Sequence, residues 1–405
     1  MFRTMTTTAL IGLLAAPAFA QDVHQWGDKE ADFEPAFENQ TRAELVQSDI
    51  ATETRELATG LEHPWGMAEL PNGDGLLVTE RPGRLVHVAL DGTVSDPISG
   101  LPEIFNQSAG NSTQAGLLDV KIGPDFADDR MVYFTYSKGT GDDMSITAAA
   151  RGVLSEDMTS LSDVEDIFEQ TPPSASAMHY GSRIVFDGDS HAFITTGERF
   201  TDETRTMAQD LDNTYGKIVR VNLDGSIPED NPFVGDDDAM DSIWSYGLRN
   251  VQGAAMRGDQ FAVVGHGPAG GDEINFPEAG ANYGWPVVSY GIRYDGGPIG
   301  SGDARAEGMV EPVYYWDPVI APGDMTFYDG EMMPEWQGDA LIAALVAPGI
   351  VRLSFDGDRV SGEERLFTEF GRVRDIEVLD DGSIVFATDA DNGSLIHVTT
   401  QTMTD

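Results

Sequence analysis

His179 stands in the segment MHYGSRIVFDGD, directly before an apolar run that reads as a strand. Imidazole titrates near neutral pH, so a histidine at the end of a strand can act as a general base. Gly181 predicts a tight turn at that point. A histidine in a loop is more often structural than catalytic, and local context leaves both interpretations open.

Arginines form the second group of candidates. Arg249 and Asn250 follow the strand pattern in IWSYGLRNVQG, and Arg372 and Arg374 stand two apart in GRVRDIEV. Residues two apart share one side of a strand, and the planar guanidinium fork suits carboxylates and quinone oxygens. The pair is therefore a candidate anion clamp. The alternative is that each arginine pairs with one of the chain's many acids. Gln114 precedes another apolar strand and by itself indicates no role.

The segment 265–286, GHGPAGGDEINFPEAGANYGWP, combines glycines with Asp272 and Glu273. Glycines let the backbone approach a ligand closely, and carboxylates supply the hard oxygens that calcium prefers. The segment is predicted to hold a cofactor or a metal, although an ordinary long turn would also be rich in glycine. Four aromatic side chains that suit either a flat ligand or a protein core lie in or just after it, namely Tyr283, Trp285, Tyr290 and Tyr294.

These residues need a scaffold, and the chain repeats one unit loosely. A turn with Asp-Gly or Asn-Gly leads into an apolar strand, and after a short polar connection a second strand follows. Irregular spacing and long loops favour a β-propeller over a solenoid. We expect an all-β, six-bladed propeller with four-stranded antiparallel blades. The unit is clearest at residues 71–94, 186–227, 338–360 and 380–399.

Composition narrows the class of partner. The 405 residues include 69 acidic and 24 basic side chains, a formal net charge of −45, and no cysteine. Such a charge argues against nucleic acid or an anionic membrane as a partner. Without cysteine, neither disulfides nor thiolate metal sites exist, so any metal has oxygen or histidine ligands.

The amino end predicts export. Residues 1–20 have a basic residue, a short apolar run and an Ala-x-Ala ending, which is the pattern of a signal peptide cut after Ala20. The run is too short to span a bilayer, so we expect a periplasmic or secreted protein without membrane insertion. Residues 21–51 are interpreted as an N-terminal extension packed on the propeller or partly disordered, and residues 52–405 as one propeller domain.

Taken together, the motifs resemble the soluble quinoprotein sugar dehydrogenases, the aldose sugar dehydrogenase and glucose/sorbosone dehydrogenase family. The match runs in order through nearly the whole chain after residue 61. Its most specific segments are QAGLLDVKIGPDF, HYGSRIVFDGD, AQDLDNTYGKIVRVNLDGS, YGLRNVQG, HGPAGGDEIN, ANYGWP and GRVRDI. The resemblance implies a six-bladed propeller that carries pyrroloquinoline quinone and calcium and oxidises aldose sugars with a separate electron acceptor.

The resemblance also implies roles for individual residues. His179 looks like the base that takes the sugar C1 hydroxyl proton, and Arg249 like the residue that polarises the quinone carbonyl. Further positions match quinone contacts, namely Gln114, Asn250, Tyr294, Arg372 and Arg374. The carbonyls of Gly267 and Pro268 match a calcium site, and Glu273 with the carbonyl of Tyr283 resembles a second one.

Three departures from the family pattern stand near these positions. Gly265 replaces a common glutamate, Ser182 replaces a usual glycine, and Val346 lies where some members have a lysine. Two other functions stay open at this stage. A calcium-dependent propeller lactonase would need several acids converging on one central calcium, and a non-catalytic binding propeller would need no base.

Overall fold

The computed structural model of the protein describes residues 28–106, 113–188 and 190–401. Helix within these ranges is confined to α1 (Phe126–Asp129), α2 (Asp202–Thr206) and 3₁₀ turns at Pro71–Gly73, Pro334–Trp336 and Thr368–Phe370. In chain order the strands are β1 (Thr52–Leu61), β2 (Pro64–Leu70), β3 (Gly75–Glu80), β4 (Arg84–Val88), β5 (Leu117–Ile122), β6 (Met131–Gly141), β7 (Met144–Leu154), β8 (Leu161–Glu169), β9 (Gly181–Phe186), β10 (His191–Thr196), β11 (Lys217–Asn222), β12 (Ile243–Tyr246), β13 (Val251–Arg257), β14 (Gln260–Gly265), β15 (Asp272–Asn275), β16 (Tyr314–Trp316), β17 (Pro322–Phe327), β18 (Ala340–Ala344), β19 (Gly349–Asp356), β20 (Arg359–Leu366), β21 (Val373–Val378), β22 (Ile384–Thr388) and β23 (Gly393–Thr400).

The strands form six antiparallel sheets, which confirms the six-bladed propeller. Blades two to five are β5–β8, β9–β12, β13–β16 and β17–β20, and blade six combines β21, β22 and β23 with β1. Blade one has three regular strands, β2–β4, where four were expected. Its fourth strand is reduced to a bridge between Val88 and Val94 and a few further backbone hydrogen bonds. Pro97, which has no N–H to donate, explains why this ladder stays irregular.

The ring closes through its first strand. β1 pairs antiparallel with β23, so the first and last strands of the propeller share one sheet. The innermost strands β2, β5, β9, β13, β17 and β21 contact one another in sequence, and β21 returns to β2. The six inner strands therefore surround a shared central channel.

The hydrophobic core is divided among the blade interfaces. Six large clusters of buried side chains fill the six gaps between neighbouring blades. In β18, Ala340 and Ile342 pack toward blade four, whereas Leu341 and Ala343 pack toward blade six. Because both faces of such a strand are buried, its sequence is apolar throughout rather than alternating.

The described part of the N-terminal extension, residues 28–51, lies along blades four and five. The Ala43 N–H donates to the Tyr314 hydroxyl over 3.0 Å, and Leu45 forms a parallel bridge with Glu363. The Ser48 N–H donates to Glu364 over 3.0 Å. The predicted signal peptide and residues 21–27 lie outside the described residues. No helix in the described ranges is long and apolar enough to cross a membrane.

A buried ion cluster fills the channel below the candidate site. The guanidinium of Arg183 lies 3.0 Å from Asp119, 3.1 Å from Asp324 and 2.7 Å from Asp375. It also stacks on Trp65, 4.3 Å from the ring centre. Burial opposes its charge, yet the three carboxylates raise the pKa of Arg183 above its ordinary value. The acids of the channel thus converge on a guanidinium.

Candidate active site

The pairing of β9 with β10 brings the predicted base to a carboxylate. Gly181 is the partner of Thr196 in this hairpin. His179 lies two residues before Gly181, and Glu198 lies two residues after Thr196, so the two side chains meet. His179 Nδ1 is 3.1 Å from Glu198 Oε2, and both residues are buried.

His179 is held by its backbone as well as by its ring. Its N–H donates to Gln114 Oε1 over 2.7 Å, and its φ of 49° is one that non-glycine residues seldom adopt. Gly197 is required opposite, since a Cβ there would lie 2.1 Å from the His179 carbonyl oxygen. Within the described residues Nε2 has no hydrogen-bond partner. The ring is fixed at one nitrogen and available at the other.

Glu198 sets the protonation of that ring. Burial alone would raise the pKa of Glu198, but His179 and Arg249 together lower it below the ordinary value. An ionised carboxylate only accepts hydrogen bonds, so the proton of His179 lies on Nδ1 and the lone pair on Nε2. Burial also lowers the pKa of His179; Arg249 adds to this, and Glu198 opposes it. The imidazole is therefore neutral at neutral pH and able to accept a proton.

Glu198 is not among the site residues that the sequence predicts. The hairpin pattern over 186–227 predicts two paired strands but does not itself include His179. Continuing that pairing past the end of the ladder would have placed this acid opposite the histidine.

Arg249 joins the base to the glycine-rich segment. Its Nη1 donates to the Gly267 carbonyl over 2.7 Å, and its Nη2 donates to the Tyr294 hydroxyl over 3.2 Å. Its Nε lies 3.9 Å from Glu198 Oε1. The guanidinium carbon is 5.3 Å from the centre of Trp285. Arg249 and His179 thus share Glu198, so the two side chains lie close together around one carboxylate.

The segment 265–286 is a folded loop with one short strand, β15. Gly267 is required there, because a Cβ would meet the Gly271 carbonyl at 2.3 Å. Both carboxylate oxygens of Asp272, an expected source of metal oxygens, are engaged by backbone N–H groups. Its Oδ1 accepts the Gly267 N–H over 2.7 Å, and its Oδ2 accepts the N–H groups of Ile320 and Ala321. Asp272 shapes the loop from within.

Glu273 differs from Asp272. Among the described residues it accepts only a 3.4 Å hydrogen bond from Asn275, and burial raises its pKa to about 8. Glu273, Asn275, Gly267 and Tyr283 line one small cavity of about 30 Å³. In the part of the chain that the structure describes, the buried Asn275 Oδ1 has no hydrogen-bond partner. A poorly satisfied carboxylate beside an unpaired amide oxygen fits a cation with oxygen ligands.

No group of three or more histidine, cysteine, aspartate or glutamate side chains among the described residues is arranged to hold a metal. A cation in the cavity beside Glu273 would therefore need carbonyl and amide oxygens next to the single carboxylate. That requirement suits calcium better than zinc.

Arg372 and Arg374 share one carboxylate. Arg372 Nη2 lies 2.7 Å and Arg374 Nη2 lies 3.4 Å from Asp389 Oδ2. His63 Nδ1 lies 2.8 Å from the other oxygen of Asp389. Pairing with an acid, the alternative interpretation of these arginines, therefore accounts for some of their contacts. Among the described residues the buried Nε of Arg374 nevertheless has no hydrogen-bond partner, and half of the Arg372 side chain is exposed. Asp389 therefore does not use every donor of the two guanidinium groups.

Two other predicted cofactor contacts support the base loop. Asn250 Oδ1 accepts the Gly181 N–H over 3.0 Å, as Gln114 does for His179. Ser182 has a φ of 89°, which explains why a glycine is usual at that position. Val346 is 59% exposed in the turn after β18, with no cationic side chain in that turn.

Comparison with known proteins shows the family to which the chain belongs. Residues 61–397 match the family model for glucose/sorbosone dehydrogenase. The aldose sugar dehydrogenase YliI of Escherichia coli K12 is 40% identical over 344 residues, which cover 84% of this chain and 90% of that protein.

Two solved structures share the fold. The crystal structure of the soluble aldose sugar dehydrogenase from Escherichia coli in its apo form has a TM-score of 0.82 at 38% identity, covering 87% of this chain and all of that one. The PQQ-bound aldose sugar dehydrogenase from Streptomyces coelicolor has a TM-score of 0.70 at 25% identity, covering 87% and 99%. The chain belongs to the glucose/sorbosone dehydrogenase family.

Proposed function

We propose that this protein is an exported aldose sugar dehydrogenase that oxidises sugars at C1 to lactones, using pyrroloquinoline quinone and calcium. The observation that carries the proposal is the site geometry in a chain of this family. A neutral histidine has its Nε2 unengaged, and a buried glutamate orients it beside an arginine. We place the enzyme in the periplasm or outside the cell, where a soluble acceptor takes up the electrons.

Each residue has a defined task. Nε2 of His179 accepts the proton of the C1 hydroxyl while the C1–H bond breaks and the C1=O bond forms. Glu198 keeps the imidazole in the required tautomer and stabilises the positive charge that it acquires. Arg249 presents a guanidinium to the negative charge that develops on the oxidant. Pyrroloquinoline quinone, when bound, supplies the acceptor for the hydride from C1.

The chain's own groups suit such a cofactor. Arg372 and Arg374 keep guanidinium donors for the carboxylates of an anionic quinone. Tyr294 has 69% of its surface exposed beside Arg249. The carbonyls of Gly267 and Pro268 would hold one calcium, and the carboxylate of Glu273 with the carbonyl of Tyr283 would hold a second one. These assignments follow the family pattern and the unpaired atoms in the site.

One observation weighs against the lactonase. That reaction would need channel carboxylates free to bind one calcium, whereas Asp119, Asp324 and Asp375 converge on Arg183. A non-catalytic binding propeller would have no use for the His179–Glu198 pair. Both alternatives remain outcomes of the test.

The test is reconstitution. Purified protein mixed with pyrroloquinoline quinone and calcium should acquire the quinone absorption band and reduce a dye when aldoses are added. His179→Ala should lower turnover by about 10²- to 10⁴-fold, the usual contribution of a general base, while quinone binding persists. Arg374→Gln should instead weaken quinone binding. His191→Ala is a matched control, since His191 pairs with Asp187 at the far end of the same hairpin.

Two results would overturn the proposal. Absence of both quinone binding and dye reduction in the wild-type protein would exclude a quinoprotein dehydrogenase. Near wild-type oxidation by the His179→Ala variant would exclude the proposed base.

A further inference from the structure

Phe200 is an exposed aromatic ring beside the predicted base. It keeps 36% of its surface exposed, in contrast to the buried phenylalanines of the blade interfaces. Its ring centre lies 4.8 Å from that of His179, in an edge-on contact. It lies 6.4 Å from the Tyr294 ring and 6.0 Å from the Arg249 guanidinium. The apolar ring of Phe200 therefore contacts His179 and lies near Tyr294 and Arg249.

The position of this ring is imposed by an unusual backbone. Arg199 and Phe200 have φ values of 69° and 64°, two consecutive non-glycine residues in the left-handed region. Such conformations persist only where the surroundings enforce them, and they cluster at ligand sites. The Phe200 N–H donates to Glu198 Oε2, the same oxygen that holds His179 Nδ1. One carboxylate oxygen of Glu198 thus holds both the backbone of Phe200 and the imidazole of His179.

An exposed aromatic ring has a natural partner in the proposed substrate. The ring face of a pyranose presents C–H groups, and aromatic side chains pack against such faces. Phe200 contacts the His179 ring edge-on, and Tyr294, whose ring plane is tilted by 50° to that of Phe200, contacts Arg249. A sugar held there by its C–H face would bring a ring hydroxyl toward Nε2.

We propose that Phe200 is the substrate-positioning wall of the site, packing against the C–H face of the aldose ring and setting the preference among sugar epimers. This inference rests on the proposed function. Phe200 does not exchange a proton; it acts by placing the C1 hydroxyl at His179. An axial hydroxyl on the stacked face would separate the sugar from the ring and lower the catalytic efficiency for that epimer.

The test compares Phe200→Ala with Phe200→Tyr in the enzyme loaded with quinone and calcium. The alanine variant keeps the N–H that holds Glu198, so only the ring is lost. KM for glucose should rise by about 3- to 10-fold, the equivalent of one lost aromatic contact. We expect kcat and the acid limb of the pH profile to stay close to wild type. The tyrosine variant should restore KM.

Epimers provide a second readout. Galactose and allose carry axial hydroxyls on opposite ring faces, so the wild-type enzyme should favour one of them over the other. Phe200→Ala should reduce that difference. Ile227→Ala, which truncates an exposed side chain on the turn after β11, is the control and should leave it unchanged.

Binding without turnover separates this inference from the proposed function. 1,5-Anhydroglucitol lacks the C1 hydroxyl, and calorimetry should show weaker binding to Phe200→Ala than to wild type, for both the loaded protein and the protein as purified. If wild type oxidises no aldose, the proposed function fails, whatever this titration shows. Unchanged KM and unchanged binding in Phe200→Ala would overturn the inference. So would a variant in which quinone affinity falls and sugar affinity does not.

Discussion

Replacing Glu198 by Gln tests whether this carboxylate controls the base. The substitution keeps the shape of the side chain and removes its charge. The glutamine carbonyl can still accept the N–H groups of Phe200 and His179, because both bond the same oxygen. Its amide group would then face Arg249 Nε, where Glu198 Oε1 now lies at 3.9 Å. The imidazolium formed during the reaction would lose its counter-charge.

The expected loss follows from that charge pair. Two unit charges about 4 Å apart interact by about 4 kcal/mol at an effective dielectric constant of about 20. If most of this stabilisation develops with the transition state, the hydride-transfer rate should fall by up to about 10³-fold. Single-turnover reduction of bound quinone at saturating aldose measures this step directly.

The pH profile gives an independent check. The base works when neutral, so the rate is high above the pKa of His179 and falls below it. Burial already lowers this pKa, and Glu198 opposes the shift. Removing the carboxylate should therefore move the acid limb to lower pH while the plateau drops. An unchanged plateau, or an acid limb that moves to higher pH, would refute the role of Glu198. Glu203→Gln, at an exposed site on α2, is the matched control.

Two further predictions concern the metal and the channel. Calcium at about 100 times the Kd of the site at Glu273 should stabilise the wild type by about 2.7 kcal/mol. Glu273→Gln should remove this contribution to the rise in Tm, whereas Glu278→Gln on the same loop should retain it. An equal rise in all three proteins would remove Glu273 from the site. Arg183→Met should lower the free energy of unfolding in urea by about 3 to 5 kcal/mol, because it strands buried carboxylates, whereas Lys138→Met, at a surface pair with Asp166, should cost less than about 1 kcal/mol. Similar losses of stability in the two variants would contradict a stabilising role for Arg183 in the channel.

The sequence predicted the scaffold because propeller blades are local structures. A hairpin such as β22–β23 is specified by its own turn and its own apolar residues, and six such units leave few ways to arrange them. The proximity of His179 and Arg249 followed from family resemblance. Both flank inner strands of neighbouring blades, which explains why residues 70 positions apart share a site.

The hydrogen-bond partners of the site residues were harder to predict from the sequence than the places of these residues in the fold. Asp272 and Glu273 are adjacent acids, yet three backbone N–H groups engage one and a single amide reaches the other. That difference depends on Ile320 and Ala321, which are remote in sequence. The Asp389 partner of Arg372 and Arg374 is nearer, since it follows β22 directly opposite the start of β21. The register of strand pairing, rather than the composition of a segment, decides which charged side chains come into contact.

The pairing of β1 with β23 also governs how the ring is completed. Among the propeller strands β1 is synthesised first and β23 last, so β1 has no pairing partner until β23 has been made. An unpaired edge strand is a template for a foreign chain, and exchange of β1 between two copies would link their rings. β1 carries Glu53, Arg55 and Glu56 on its exposed stretch, where charge discourages such pairing. Closing the ring by this pairing makes β1 the strand that a neighbouring copy could supply, and such exchange would rise with protein concentration.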